Sequence, residues 1–201
     1  MNSESQHIDE ALGNGEMSVH GTSASGLREK ELPAVTLRAP ETDDIDMLYL
    51  WENDSRQWVS TLTPYPVSRR RISDYVRDFD GNIAQWQLKL VVEADGEAVG
   101  SVDLYDADLR CGQAFVGIYI DLAHRGQAYG SAALRQLVSY AFDVLGLRQL
   151  AALVAVDNEA SLSMFAKAGF MKSGCLRSWI RRGQNFVDAK LMQCMASERQ
   201  P

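Results

Sequence analysis

A strand pattern, a basic turn and a long amphipathic helix follow one another directly between residues 114 and 145. Residues 114–120 are mostly apolar and either β-branched or aromatic, as a strand favours. Farther along, apolar residues recur at helical spacing, at Leu134, Leu137, Val138, Ala141, Phe142 and Leu145. A strand that leads straight into such a helix has to bury one face of each against a sheet. The segment therefore predicts a layered fold of helices and strands.

The remaining periodic segments predict a mixed sheet with helices on its faces. Asp95-Gly96 separates two strand patterns and predicts a hairpin. Further strands are predicted at 34–40, 86–92, 98–104, 149–156, 170–177 and 186–195. Helices are predicted from an N-cap at Thr42 to about Trp51, from a cap at Ser68 through Phe79, and over 161–168. The expected fold class is α/β, of the mixed-sheet α+β kind, with a ligand at the carboxyl ends of the central strands.

Composition predicts one domain in a reducing compartment. The 201 residues are 46% hydrophobic, which suits a single core. Residues 1–32 are polar and predict a disordered tail before a domain at 33–196, with 197–201 as a second tail. No apolar run reaches membrane-spanning length and the N-terminus is unlike a secretory signal, so we expect no membrane partner and a cytoplasmic location. Cys111, Cys175 and Cys194 are too far apart to indicate a zinc site, so no metal is expected.

Charge is unevenly distributed along the chain. Residues 1–123 carry 22 acidic and 10 basic side chains, a net charge of −12, whereas residues 124–201 carry 5 acidic and 10 basic ones, a net charge of +5. A polyanion bound by the second half and a cation bound by the first would suit this asymmetry, and ordinary surface charge explains it equally well. An acidic chain without an extended basic stripe does not indicate nucleic-acid binding.

The basic turn lies directly before the N-terminus of the long helix. Exposed backbone N–H groups and the helix dipole make such a turn a binding site for anions. Glycines let the backbone approach a phosphate, and Arg125 adds charge-assisted hydrogen bonds. A plain strand-to-helix connection has the same pattern, so the turn alone leaves both interpretations open. The candidate binding residues are Ile118, Tyr119, Ile120, Arg125, Gly126, Gln127, Ala128, Tyr129, Gly130 and Ser131.

The turn resembles a known coenzyme-binding loop. Residues 125–130, Arg-Gly-Gln-Ala-Tyr-Gly, resemble the Gln/Arg-x-x-Gly-x-Gly/Ala pyrophosphate loop of the GNAT acetyltransferases, with Ala128 at the middle glycine position. Residues 156–170 are similar to the family's Asn-x-x-(Ser/Ala)-x-x-x-(Tyr/Phe)-x-Lys-x-Gly-Phe element, in the family's order. The resemblance covers roughly residues 35–195. It implies the GNAT-like acyl-CoA N-acyltransferase fold, a mostly antiparallel sheet flanked by about four helices, and acetyl-CoA as co-substrate.

The same resemblance implies roles for residues of the second element. Asn158 would hydrogen-bond the pantetheine arm, and Ser161, Phe165 and Lys167 would lie along the coenzyme. Asn158 also fits a plain helix cap. A dinucleotide-binding fold is disfavoured, because no GxGxxG follows a first parallel strand.

Two shorter segments look like one branch of the family. Residues 51–54 and 183–186 resemble the branch that contains ribosomal-protein N-terminal and spermidine acetyltransferases. Spermidine acetyltransferases tend to place carboxylates after the first helix, and residues 57–62 here have none. The strand position of their glutamate is Phe115. Both departures weaken the polyamine interpretation.

The resemblance implies direct attack of a neutral amine on the thioester while both substrates are bound. Asp103 is the candidate base, and Glu52 and Asp54 are candidates for binding the amine; each also fits ordinary surface charge. Many family members carry a tyrosine acid where this chain has Phe165, so Tyr119, Ser163 or water would protonate the thiolate.

The expected function is acetyl transfer from acetyl-CoA to a primary amine of a small molecule, with polyamines among the candidates. The alternatives are a protein N-terminus as acceptor and a non-catalytic coenzyme-binding module. A homodimer remains open.

Overall fold

The computed structural model describes residues 32–55, 65–79 and 87–198. Nearly all of the predicted N-terminal tail, the segment 57–62, Trp86 at the start of a predicted strand and the last residues of the C-terminal tail lie outside these ranges. Leu32 already packs against the main core. The domain limits 33–196 stay a prediction.

Seven strands and four α-helices alternate along the described chain. The strands are β1 (Thr36–Arg38), β2 (Gln87–Ala94), β3 (Glu97–Asp108), β4 (Gln113–Ile120), β5 (Gln149–Ala155), β6 (Met171–Arg182) and β7 (Asn185–Met195). The helices are α1 (Ile45–Glu52), α2 (Arg69–Arg77), α3 (Tyr129–Ser139) and α4 (Glu159–Lys167). The predicted fold class, a mixed and mostly antiparallel sheet flanked by four helices, is confirmed. No helix within the described ranges is both long and apolar enough to cross a membrane.

The strands form one sheet in the order β1-β2-β3-β4-β5-β7-β6. Every neighbouring pair is antiparallel except β4 and β5, which are parallel. These two strands pair only where Gln113–Phe115 lie beside Gln149–Ala151. Beyond that point the parallel ladder ends, and the carboxyl ends of both strands border an opening in the sheet.

Helices cover both faces of the sheet. The main core lies between one face and α3, where Ala133, Leu134 and Leu137 are fully buried. On the opposite face, α1 and α2 form a smaller cluster around Leu48 and Ile72. The opening is therefore bordered by different helices on its two faces.

Most local predictions are confirmed, and two differ in detail. Asp95 (φ 52°) and Gly96 (φ 79°) form the predicted hairpin turn. The Ser68 hydroxyl accepts a hydrogen bond from the Arg71 N–H at the start of α2. Thr42 begins a 3₁₀ turn that ends at Asp44. The N-cap position of α1 is therefore Asp44 and not Thr42. The long helix ends in a π-helical turn over Tyr140–Val144.

A buried carboxylate fixes the entry to α1. Asp44 accepts hydrogen bonds of 2.7 and 2.9 Å from the two terminal nitrogens of Arg38, and a third from the Glu41 N–H. The Arg38 Nε donates to Glu93 on β2. The Arg38 hydrogen bonds hold the pKa of Asp44 below its usual range. The cluster thus joins β1, β2 and α1.

We expect Asp44→Asn to lower the free energy of unfolding by about 2 kcal/mol near neutral pH, because it removes charge-assisted bonds to a partly buried arginine. A carboxylate with a lowered pKa stabilises the fold above its unfolded pKa and loses this effect as pH falls through the folded value. Urea unfolding should therefore show a smaller difference below a pH of about 4. Asp43→Asn, at an exposed neighbour, is the control; an equal loss in both variants would contradict the assignment.

Candidate active site

The opening beside β4 presents backbone groups that the sheet does not use. The Asp121 N–H donates to the Val99 carbonyl on the β3 side. Because backbone groups alternate in direction along a strand, the N–H and C=O groups of Ile118 and Ile120 face β5, where the ladder has ended. The Ile120 carbonyl accepts a bond from the Arg125 Nε at 3.0 Å, which supports this direction. Tyr119 turns its backbone toward β3.

The predicted anion loop lies at the N-terminus of α3. Gly126 (φ 80°) and Ala128 (φ 65°) both adopt left-handed conformations on either side of Gln127. No side chain caps the N-terminus of α3, so the N–H groups of Tyr129, Gly130 and Ser131 can donate to a ligand. Arg125 is exposed beside them. The structure thus brings the predicted loop residues together at one helix end.

Gly130 has a packing role as well. A Cβ atom on Gly130 would lie 3.0 Å from the Met164 sulfur on α4 and 3.4 Å from the Cγ1 of Ile120 on β4. Glycine therefore lets the first turn of α3 approach both elements closely.

Only some residues of the second predicted element line the main cavity of the structure. The Asn158 Oδ1 accepts a 3.1 Å bond from the Ser161 N–H and caps α4, yet both residues line the main cavity. Phe165 also lines the cavity and packs edge-on against Phe170. Lys167 is exposed and Ser163 is exposed, and neither lines the cavity.

A cavity of about 530 Å³ joins the opening to the face covered by α1 and α2. Ile118, Leu153 and Phe165 line it on the side of the opening. The charged residues that line the cavity are three carboxylates and three cations, namely Glu52, Asp103, Asp106, Arg71, Lys89 and Arg182. The proposed coenzyme and amine sites are thus two ends of one space.

A charged cluster lies in this cavity. The Lys89 ammonium is 2.5 Å from the Glu52 carboxylate and 3.4 Å from the Asp103 Oδ1, which makes no hydrogen bond within the described residues. Burial opposes the charge of Lys89, but Asp103 and Glu52 outweigh it and raise the pKa of Lys89. Burial also raises the pKa of Asp103, and Glu52 adds to this effect against the opposing charge of Lys89. Asp103 is therefore a carboxylate whose pKa is shifted toward neutrality.

Gly117 opens a path from Asp103 to the gap between β4 and β5. Lys89, Asp103 and Gly117 are cross-strand partners on β2, β3 and β4, so they form one row on the same face. A Cβ on Gly117 would lie 3.4 Å from the Asp103 Oδ2. Its absence leaves room beside the carboxylate.

Tyr119 points into the same cavity from the next row. Its hydroxyl donates to the Asp121 Oδ1 at 3.3 Å, and its ring packs at 5.2 Å from that of Trp51. Burial, reinforced by Asp121 and Asp54, raises the pKa of Tyr119 to about 12. Asp54 influences this hydroxyl without lining the cavity.

Sequence reasoning missed Lys89, Tyr75, Gly117 and Arg182, all of which line the cavity. Lysine and glycine inside otherwise apolar strands are the signals that could have identified Lys89 and Gly117. Tyr75 lies on α2 and packs against the cluster around Leu48 and Ile72. Its hydroxyl accepts a bond from the Lys89 N–H, and burial raises its pKa to about 12.

The family model described as "Acetyltransferase (GNAT) domain" matches residues 34–171. The match spans more than half of the chain, so the chain belongs to the GNAT acetyltransferase family. It is an acetyl-CoA-dependent N-acetyltransferase.

Individual relatives support this placement. The chain is 25% identical over 167 residues to the uncharacterized N-acetyltransferase p20 of Bacillus licheniformis, covering 82% of this chain and 94% of p20. It is 29% identical over 145 residues to the spermidine N(1)-acetyltransferase of Escherichia coli, covering 70% and 75%. The Vibrio cholerae spermidine N-acetyltransferase, solved with CoA and spermine, has a TM-score of 0.74 at 24% identity, covering 81% of this chain and 96% of that one.

We expect Ala128→Gly to raise the free energy of unfolding by about 1 kcal/mol, because a left-handed conformation strains alanine and suits glycine. Chemical unfolding measures the change. Ala166→Gly, the same substitution at an exposed position of α4, should instead lose stability. A loss in both variants would contradict the left-handed conformation at Ala128.

Proposed function

We propose that the chain transfers the acetyl group of acetyl-CoA to a primary amine of a small molecule, by direct attack while both substrates are bound. The observation that carries this proposal is the row that leads from Asp103 past Gly117 to the opening between β4 and β5. It puts a candidate base and the edge of a coenzyme site in one cavity.

The loop and the opening suit the two ends of acetyl-CoA. The pyrophosphate accepts hydrogen bonds from the N–H groups of Gln127 to Ser131 and pairs with the charge of Arg125, since a helix N-terminus stabilises an anion. The pantetheine arm is a chain of amides, and the inward-facing groups of Ile118 and Ile120 can pair with it as a strand would. Asn158 and Ser161 border its path, and the buried ring of Phe165 adds an apolar wall.

Arg125→Ala should weaken acetyl-CoA binding by roughly 10-fold or more, because it removes a charge-assisted bond to phosphate. Calorimetric titration measures the dissociation constant. Arg135→Ala, at an exposed arginine farther along α3, is the matched control and should bind as the wild type does. Equal binding by both variants would remove Arg125 from the coenzyme site.

Asp103 accepts the proton that the acceptor ammonium must lose, directly or through one water. A primary ammonium has a pKa of roughly 10, so few molecules are neutral at physiological pH. A base whose pKa is raised takes that proton more readily than an ordinary carboxylate. Lys89 forms an ion pair with Asp103, and its backbone N–H donates to the Tyr75 hydroxyl. Because one ammonium offsets only one of its two carboxylate partners, Glu52 and Asp103 together leave a negative charge that attracts the cationic amine, and Asp54 adds to it.

The neutral nitrogen then attacks the thioester carbonyl, and the carbon–sulfur bond breaks as the thiolate leaves. A backbone N–H group of the open β4 edge near Ile118 to Ile120 that does not pair with the pantetheine arm donates to the oxyanion as it develops. The Tyr119 hydroxyl donates to Asp121 and its pKa is raised, so Tyr119 is a poor acid for the thiolate. The nitrogen loses its second proton as the amide forms, and water relays that proton to the departing thiolate.

The cavity favours a small acceptor. Its volume of about 530 Å³ lies in the range of small-molecule sites, whereas a protein N-terminus needs an open groove. Polyamines are less favoured, because Lys89 already neutralises Glu52 and Phe115 stacks on Tyr105 where spermidine acetyltransferases carry a glutamate.

Two further proposals concern the setting of the enzyme. A cytoplasmic location suits the three free cysteines and the supply of acetyl-CoA. A homodimer is supported by Trp179 and Phe186, whose large side chains are exposed beside the outer edge of β6. One structure of the Vibrio cholerae enzyme is described as dodecameric.

Asp103→Asn should lower kcat by roughly 10²- to 10⁴-fold with little change in acetyl-CoA affinity, because the amide cannot accept the proton. The fall in rate at low pH that reports protonation of this carboxylate should also disappear from the pH–rate profile. Asp95→Asn removes the same charge in the β2–β3 turn and keeps the turn geometry, so it serves as the control. An unchanged rate in Asp103→Asn would remove Asp103 as the base.

A further inference from the structure

Arg182 is brought into the cavity by an irregular stretch of β6. The pairing of β6 with β7 shifts register between Leu176 and Ile180, and Ser178 in that stretch has a φ of 49°. The Asp188 carboxylate accepts a 2.8 Å bond from the Ser178 N–H, which holds the strained residue. Beyond this bulge, Ile180 and Arg182 line the cavity, whereas Arg181 does not.

The Arg182 guanidinium is held in a fixed orientation with one nitrogen unused. Its Nε and Nη2 each donate a 3.2 Å bond to the Asp157 carboxylate. Its Nη1 is buried and has no hydrogen-bond partner among the described residues. An unpaired buried donor is costly, and a cationic one most of all. A nitrogen oriented in this way in a ligand cavity calls for an anionic acceptor atom.

Asp157 does not remove the need for a second anion. Its side chain is 49% exposed, whereas that of Arg182 is 19% exposed, so water screens the carboxylate more than the cation. The Arg182 hydrogen bonds keep the pKa of Asp157 below its usual range, and the pair persists at physiological pH. It fixes the guanidinium plane and directs Nη1.

We infer that the acceptor amine carries a carboxylate, and that Arg182 binds this carboxylate through Nη1 while the amine faces Asp103. This inference rests on the proposed function and names its substrate class as amino acids or similar amino carboxylates. Asp103 and Arg182 line one cavity, so an acceptor long enough to span it can direct its amine toward Asp103 and its carboxylate toward Arg182. A polyamine would leave Nη1 unpaired and add a second cation.

Calorimetry on the CoA-bound protein tests the subsite without requiring turnover. The probes are a panel of N-acetyl-L-amino acids, each compared with its N-acetyl amide, which has the same shape and no charge. We expect the carboxylate to bind roughly 10- to 100-fold more tightly than the amide for the members that fit, and Arg182→Gln to abolish this ratio. A wild-type panel without any carboxylate preference would overturn the inference.

Three comparisons between variants separate carboxylate recognition by Arg182 from a structural effect of its substitution. Arg181→Gln, next to Arg182 but outside the cavity, should keep the carboxylate preference. Asp157→Asn should keep a reduced preference, because its one side-chain oxygen still accepts a bond that orients the guanidinium. If Arg182→Gln instead weakens CoA binding and leaves the ratio unchanged, Arg182 belongs to the coenzyme and the inference fails.

Turnover of the free amino acids and amino-acid amides then tests the carboxylate subsite separately from the proposed acetyl transfer. The ratio of kcat/KM values should fall by a similar factor in Arg182→Gln, and the comparison between variants cancels the different amine basicities. Carboxylate-selective binding without any acetylation would overturn the proposed function and leave the subsite standing. Acetylation of amides as fast as of carboxylates in the wild type would overturn the subsite alone.

Discussion

The short pairing between β4 and β5 is the constraint on which the site depends. Parallel strands normally continue side by side, but here the ladder ends at Phe115 and Ala151. The β4 backbone stays fixed from its other side by β3, so Ile118 and Ile120 present ordered donors and acceptors to the gap. The strand then leads into the loop and α3, whose exposed N–H groups extend the same edge. A coenzyme with amides at one end and phosphates at the other finds both along one path.

The opposite face of the sheet supplies a different environment in the same cavity. Lys89 lies between two carboxylates, which keeps it charged and limits the net negative charge that an acceptor meets. The Asp103 Oδ1, on the Lys89 side, makes no hydrogen bond within the described residues, and the Oδ2 lies beside the space that Gly117 leaves open. On the far wall, the bulge in β6 directs Arg182 inward. The charged lining residues are thus balanced in number, and Arg182 lies on a different strand from the Lys89 cluster, which suits a dipolar acceptor better than a polycation.

The fold and the turn at the N-terminus of α3 could be predicted because both are encoded locally. The helix periodicity after Gly130, the Asp95-Gly96 turn and the Ser68 cap each specify their own element. The acceptor site was harder, since it depends on register: only the pairing of β2, β3 and β4 shows that Lys89, Asp103 and Gly117 form a row. Arg182 depends on a bulge at Ser178, a residue with no turn signature. The left-handed conformation of Ala128 likewise cannot be predicted from the backbone propensity of alanine.

Direct transfer in a ternary complex is the central claim, and initial velocities test it most directly. Rates are measured over a grid of acetyl-CoA and acceptor concentrations, and the protein is also incubated with acetyl-CoA alone and weighed by intact mass spectrometry. The account predicts intersecting double-reciprocal lines and no acetylated enzyme, because Asp103 acts on the amine and no residue is acylated. Parallel lines together with an acetyl-enzyme that the amine discharges would contradict it.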